Sequence, residues 1–68
     1  MNNPERLPNG AEVLAIDYTS GIVLGHNKGA VQPYVTWAFC GNDLASTYSG
    51  HYYSNLDDAK QDYKERTL

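Results

Sequence analysis

The stretch that decides the fold is YVTWAFCGNDLASTYSGHYY, residues 34–53, which carries six of the chain's eight aromatic side chains. Residues 34–40 alternate, so that Val35, Trp37 and Phe39 would point to one side of a strand and the residues between them to the other. A period of two in β-branched and aromatic residues is typical of a β-strand. Residues 47–53 repeat the alternation, and the turn-rich sequence GNDLAS is predicted to link the two strands.

Upstream, EVLAIDYT at residues 12–19 also alternates and would place Leu14, Ile16 and Tyr18 on one face. The following TSG predicts a tight turn in which Gly21 supplies a positive φ, and IVL at residues 22–24 predicts the second strand of a hairpin. The connection GHNKGAVQP at residues 25–33 contains a predicted turn at Asn27-Lys28-Gly29. Its final proline has no N–H for a ladder, so it should lie at the start of the next strand or just before it.

Within the last strand, Gly50 interrupts a run of large side chains. A glycine at such a position indicates a bulge, or a place where a neighbouring ring lies against bare backbone.

The C-terminal segment is predicted to be helical and to begin after a cap at Ser54 or Asn55. Leu56, Ala59 and Tyr63 form a narrow apolar stripe that could dock on a sheet. The charges suit the helix dipole, with acidic residues in the first turn and basic ones in the last, namely Asp57, Asp58, Lys64 and Arg66.

These patterns predict an α+β protein of order β-β-β-β-α, in which a small antiparallel sheet of three to four strands carries one C-terminal helix on one face. Residues 1–10 contain two prolines and a glycine without periodic apolar positions, and we interpret them as a flexible N-terminal arm. Residues 11–68 then form a single domain, near the lower size limit for folding without a disulfide or metal.

A helix of about twelve residues spans roughly 18 Å and can cover only one face of the sheet. We expect Trp37 and Phe39 to pack beneath it as the core, together with Val35, Leu14 and Ile16. The opposite face would then stay open and carry Tyr34 and Thr36. In the last strand Tyr48 and Tyr52 share one face and His51 lies on the other, and these five residues are the candidates for binding a partner through the open face or a free strand edge.

Two interpretations of this open face remain. Rows of tyrosine with threonine and serine between them are typical of protein-binding surfaces. They are also compatible with ordinary strand formers whose hydroxyl groups are in water, which the sequence favours slightly.

Composition excludes several classes of function. The net charge is −3 and the five basic residues do not cluster, so nucleic acid is not an expected partner. Apolar runs reach only about four residues against the roughly 20 that a membrane span requires. A single cysteine allows no internal disulfide, and the N-terminus lacks the apolar core of a signal peptide, so we expect a cytoplasmic protein.

No pattern indicates catalysis or a cofactor. Cys40 and His51 could form a nucleophile–base pair with Asp17 or Asp43, but nothing supplies the electropositive setting that a reactive thiolate needs. The two histidines, His26 and His51, lack the close spacing of metal ligands. We therefore predict no enzyme activity, no metal and no cofactor.

The motifs YVTW at residues 34–37, GHYY at residues 50–53 and a helix with Ala59, Asp62-Tyr63 and Arg66 resemble small uncharacterised proteins carried by phages and conjugative elements. The similarity covers about half of the chain. It implies a mobile-element origin and an accessory role, and it supplies no catalytic residues.

The sequence thus favours a non-enzymatic protein-interaction module, such as an accessory or modulator protein with an unidentified protein partner. The alternative is a self-associating structural domain that forms a homodimer through the open sheet face.

Overall fold

The computed structural model describes residues 10–40 and 43–68, with the backbone alone at 43–45. Within these residues the chain forms four strands and one helix, namely β1 (Glu12–Asp17), β2 (Ile22–His26), β3 (Tyr34–Cys40), β4 (Asp43–Tyr53) and α1 (Leu56–Arg66). The strands pair antiparallel in the order β1-β2-β3-β4, and α1 packs on one face. The predicted α+β fold is confirmed. The predicted arm lies, apart from Gly10, outside the described residues.

Most predicted boundaries hold, and β3 begins immediately after Pro33 and matches its predicted range. The start of β4 is the exception, because Asp43 already pairs with Cys40 and the strand therefore begins four residues before Thr47. The composition of GNDLAS indicated a turn, but β3–β4 pairing with a register irregularity between Phe39 and Cys40 extends the strand through most of it.

The β1–β2 turn shows why a glycine is needed at position 21. Asp17 Oδ1 accepts the backbone N–H groups of Thr19 at 2.9 Å and Ser20 at 3.3 Å, which holds the chain in the turn. Gly21 then adopts φ of 72°, and a Cβ there would lie 2.9 Å from the carbonyl oxygen of Phe39. Both the backbone angle and the space therefore favour glycine.

The ends of α1 are closed by side chains. Of the two predicted caps it is Asn55 that serves, because its side-chain oxygen accepts the Asp58 N–H at 2.9 Å. Its amide also donates to the Asp58 carboxylate at 3.0 Å. At the other end the Thr67 N–H and hydroxyl donate to the Tyr63 carbonyl at 3.1 and 2.9 Å. These bonds satisfy backbone groups that a helix end leaves unpaired.

The helix covers the face of the sheet opposite to the predicted one. Asp62 and Arg66 of α1 bond to Thr36, which is fully buried, and Asp62 also bonds to His51. Thr36 pairs with Leu24 and His51 across the strands, so these residues share what we call the helix face. Trp37 lies on the other side of the sheet, which we call the far face, and the prediction that it packs beneath the helix is wrong.

The far face is nevertheless largely closed. Val23 and Phe39 are buried there with Ala11 in one hydrophobic cluster, and Trp37 and Ile16 pack against it half-buried. Val35 is buried on the same face. The centre of the sheet is therefore covered on both sides, and the predicted open face does not exist at that point.

A bulge in β1 explains a second correction. The register shifts between Val13 and Ala15, so Leu14 stands outside the regular pairing and is 45% exposed. Val13 and Ile16 pack against the core instead, although an unbroken alternation would put them on opposite faces. The predicted inward position of Leu14 is therefore wrong.

The prediction for Gly50 is confirmed in both of its forms. The register shifts as β4 passes Trp37, and Ser49 adopts φ of 54°, as expected at a bulge. A Cβ on Gly50 would overlap the Trp37 indole at Nε1 and Cδ1. The indole thus lies directly on the bare backbone of β4.

In the parts of the chain that the structure describes, no helix has both the length and the apolar character to cross a membrane.

Candidate functional site

The outermost described strand on one side of the sheet is β4, because its only strand neighbour in the sheet order is β3. Its second half carries exposed side chains: Tyr48 is 54% exposed, Tyr52 is 47% exposed, and His51 is also exposed. We call the segment Tyr48–Tyr53 the β4 edge. An edge strand that presents aromatic side chains is a surface on which a further chain can pair.

The structure separates the five predicted binding residues into two groups. Tyr48, His51 and Tyr52 come together on the β4 edge, although Tyr52 points to the far face and the other two to the helix face. Thr36 is 0% exposed beneath α1 and cannot contact a partner. Tyr34 is half-buried and stacks on His26, with ring centroids 4.7 Å apart.

Beneath α1 lies a polar network centred on Thr36. Its hydroxyl donates to Asp62 Oδ2 at 2.5 Å and accepts from Arg66 at 2.9 Å. The same guanidinium nitrogen donates to the Thr36 carbonyl at 3.2 Å and lies 4.0 Å from Asp62 Oδ2. A buried hydroxyl between a carboxylate and a guanidinium is fully satisfied, because it donates to one and accepts from the other.

This network extends to the β4 edge through His51. Its Nδ1 lies 2.9 Å from Asp62 Oδ2. An ionised carboxylate only accepts hydrogen bonds, so neutral His51 carries its proton on Nδ1 and keeps Nε2 as an acceptor. The carboxylate therefore fixes both the orientation and the tautomer of an exposed imidazole.

The same carboxylate affects titration at the site. Burial opposes ionisation of Asp62, but the hydrogen bonds from Thr36 and His51, with the charges of His51 and Arg66, together lower its pKa below the ordinary value. Burial, and then the nearby negative charge of Asp62, raises the pKa of the Tyr53 hydroxyl. Asp62 is thus ionised and Tyr53 is protonated at neutral pH.

On the far face the β4 edge is supported by an aromatic pair. The rings of Trp37 and Tyr52 meet edge to face, with centroids 6.2 Å apart and planes at 88°. Such pairs contribute about 0.5–1.5 kcal/mol beyond the area they bury. Tyr52 is therefore held in place on one side of the strand while Asp62 holds His51 on the other.

The arrangement does not assemble the catalytic pair that was considered from the sequence. Cys40 is exposed and lies four residues along β3 from Thr36, the cross-strand partner of His51. At roughly 3.3 Å per residue that separation is about 13 Å along the strand. Among the described residues there is also no metal-ligand cluster of three or more His, Cys, Asp or Glu, and no concave pocket is found.

Sequence reasoning missed the role of Asp62 between the helix and the sheet. The signal was present in the helix period, because residues 59, 62, 63 and 66 follow the i, i+3, i+4, i+7 pattern of one face. A carboxylate and a guanidinium on the apolar stripe indicate that the sheet beneath them offers polar partners.

A comparison with protein-family models, with curated proteins and with solved structures gives no significant match to this chain. The resemblance to proteins of phages and conjugative elements therefore stays a prediction.

Proposed function

We propose that this chain is a non-enzymatic protein-interaction module that binds an extended segment of a partner protein along the β4 edge. The observation that carries the proposal is the exposure of Tyr48, His51 and Tyr52 together on the outer strand of the described sheet. The sheet centre, by contrast, is buried on both faces and offers no comparable surface.

Backbone geometry supports this mode of binding. Alternate N–H and C=O groups of an outer strand point away from its neighbour, and an added strand can bond to them. The bulge at Ser49 and Gly50 divides the β4 edge, and beyond it His51, Tyr52 and Tyr53 pair regularly with β3 and offer about 10 Å of extended chain at 3.3 Å per residue. That length can pair a peptide segment of similar size.

The side chains of Tyr52 and His51 also support strand addition, because contacts within the protein already hold them in place. Tyr52 is held against Trp37, and His51 is held by Asp62. Immobilising a free side chain on binding costs about 0.5–1.5 kcal/mol, and a side chain that is fixed beforehand avoids most of that cost. Tyrosine adds large rigid contact area with a polar tip.

The test is affinity purification from the native host, followed by binding measurements on the purified partner with matched tyrosine variants. Tyr48→Ala and Tyr52→Ala should weaken binding at least tenfold, which is the effect of a central aromatic contact. Tyr18→Ala is the control, because Tyr18 is exposed to a similar degree but lies in the β1–β2 turn. It should leave the affinity unchanged.

Hydrogen exchange of the complex locates the contact. Slowed exchange confined to Tyr48–Tyr53 would agree with strand addition. A partner that tolerates both β4 variants, or that protects amides elsewhere, would show that the edge is not the binding site. Circular dichroism melts of each variant separate lost contacts from lost folding.

Homodimer formation is the alternative that the same proteins test. Light scattering at increasing concentrations distinguishes a monomer from a dimer, and a dimer that Tyr48→Ala dissociates would assign the edge to self-association. A cytoplasmic location belongs to the same proposal, since the exposed Cys40 suits a reducing compartment.

A further inference from the structure

We infer that the segment bound at the β4 edge is basic, with Lys or Arg at alternate positions facing the helix side and apolar residues between them. This inference rests on the proposed function and names the chemistry of the partner. It follows from the way in which the charges of α1 are divided between its two flanks.

The flank of α1 nearest β4 is acidic. Asp62 bonds to His51 of β4, which places this side of the helix above the edge. Asp58 lies one turn before Asp62 on the same side of the helix, and its charge is a minor contribution to the raised pKa of Tyr53 of β4. Glu65 follows on the same side, because positions 58, 62 and 65 are spaced i, i+4, i+7.

The opposite flank carries the lysines. Tyr63 follows Asp62 and lies one step round the helix from it, on the side away from β4, and burial together with the charge of Asp17 at the end of β1 raises its pKa. Lys60 and Lys64 lie on that side, next to Tyr63 in the helical period, and both are exposed. Apart from Arg66, which bonds to Thr36, and Asp57 on the solvent side, the positive and negative charges of the helix therefore lie on different flanks.

Internal pairing does not cancel the charge over the β4 edge. Arg66 is the one cation that the described network brings to the acidic flank, and it offsets one carboxylate. Asp58 and Glu65 bond to the neutral amides of Asn55 and Gln61, which leaves both charges in place. Two net negative charges thus remain beside an exposed strand, and a cationic segment complements them.

The two faces of the edge also differ, which gives the bound segment a period of two. On the helix face an alternate Lys or Arg would reach the acidic flank and could stack on the exposed Tyr48 ring. On the far face the intervening side chains would contact Tyr52, whose ring already packs on Trp37. Apolar residues fit there, because side chains of an added strand alternate between faces.

The same charges disfavour the binding of a second copy of this chain at the β4 edge. Antiparallel pairing of two β4 edges about a two-fold axis puts both helices on the same face of the joined sheet. Each acidic flank, Asp58 with Glu65, would then face its own copy across the junction. Like charges brought together at an interface oppose association, whereas a basic segment is attracted.

The probes are three capped peptides of equal length in which valine alternates with lysine, with glutamate or with threonine. Each is titrated into the isotopically labelled full chain at low salt, and amide shifts report both affinity and location. We expect the lysine peptide to bind most tightly, with shifts centred on Tyr48–Tyr53. Its affinity should fall at about 0.15 M salt, where charges are screened beyond about 8 Å.

Charge variants test the flank directly. Asp58→Asn with Glu65→Gln should weaken the lysine peptide about fivefold, the effect of losing two exposed ion pairs. Asp57→Asn is the matched control, because this exposed carboxylate lies on the solvent side of the same helix turn. It should change the affinity by less than about twofold. Neither change touches Asp62 and its network.

The outcomes separate the two proposals. If threonine and lysine peptides bind the β4 edge equally at low salt, the edge is a binding site but its preference for basic segments is wrong. If the glutamate peptide binds best, the charge argument is overturned. If none of the three shifts the β4 amides at millimolar concentration, strand addition itself fails together with the inference.

Discussion

Replacing Gly50 by alanine tests the contact in which the Trp37 indole lies against the β4 backbone. The backbone of Gly50 is outside the left-handed region, so alanine meets no conformational barrier. Because alanine gives the unfolded chain less conformational entropy than glycine does, this effect alone would stabilise the fold by about 0.4–1 kcal/mol. Any loss of stability must therefore come from the new methyl group.

The magnitude follows from what that methyl group meets. It would overlap Nε1 and Cδ1 of Trp37 and lie 3.1 Å from Cε1 of Tyr52. Both rings would have to shift, and overpacking of this kind costs about 1–3 kcal/mol. Because two rings must move, the cost lies in the upper half of that range, and after the unfolded-state gain is subtracted we expect a net loss of about 1–2 kcal/mol.

The assay is urea unfolding followed by circular dichroism and by fluorescence, since Trp37 is the only tryptophan. For a chain of this size the urea dependence is about 1 kcal/mol per molar, so the midpoint should fall by about 1–2 M. The emission of the native state should move to longer wavelength as the indole is displaced toward water. Gly29→Ala is the control, because its nearest neighbour is Asn27 Oδ1 at 3.8 Å.

A double-mutant cycle decides whether the contact is the cause. In a Trp37→Leu background the methyl group has room, so Gly50→Ala should be neutral or stabilising there, with a coupling energy of about 1–3 kcal/mol. An equal loss of stability in both backgrounds would refute the reasoning. So would a Gly50→Ala protein with unchanged emission and an unchanged midpoint.

Three further results are expected from the helix and its network. Thr36→Val should lower the free energy of unfolding by about 1–3 kcal/mol in urea titrations, because Asp62 loses a donor and Arg66 an acceptor; an unchanged midpoint would contradict the network. Because the pKa of Asp62 is lower in the folded chain, its contribution to stability is complete above the ordinary value of 3.8 and is lost as the pH falls through the folded value. Asp62→Asn should therefore flatten the acid side of the stability curve, and a curve of unchanged shape would speak against this assignment. Asn55→Ala should cost about 1 kcal/mol by removing the cap on Asp58 N–H, whereas Asn55→Ser should retain most of that stability.

The sequence alone was sufficient for elements whose signals are local. The alternation of β3, the proline before it, the positive φ at Gly21 and a helix cap at Ser54 or Asn55 each depend on neighbouring residues and agree with the structure, in which Asn55 is the cap. The packing of a ring on Gly50 was also predictable, because a glycine among the large side chains of a strand leaves bare backbone that a neighbouring ring can cover.

The choice of the helix-covered face was not predictable from hydrophobicity. One side of β3 carries Trp37 and Phe39, which suggested the helix-facing core, yet α1 docks on the side of Thr36. The helix stripe itself contains Asp62 and Arg66, so its best complement is a face with a polar partner. Leu14 was predicted to point inward and Thr36 to be exposed, and both predictions are wrong. A bulge displaces Leu14 and a contact with the helix buries Thr36, and neither feature can be recognised from the periodicity of the sequence.

The candidate binding residues differ in exposure, and the difference also depends on tertiary structure. Tyr48, His51 and Tyr52 are exposed because they belong to an outer strand, whereas Tyr34 and Thr36 lie on a strand with neighbours on both sides. Strand order was not available from the sequence, and exposure depends on it.

The Thr36 network also determines how α1 can move on the sheet. A helix held only by apolar side chains can slide by one turn, about 5.4 Å, and find similar contacts. Such a shift would move Asp62 and Arg66 away from Thr36. Both charges would then lack their partners in the partly buried interface between helix and sheet. The helix therefore has one preferred position along the strands. Because His51 bonds to Asp62, its imidazole is also held at one position at the edge of the sheet.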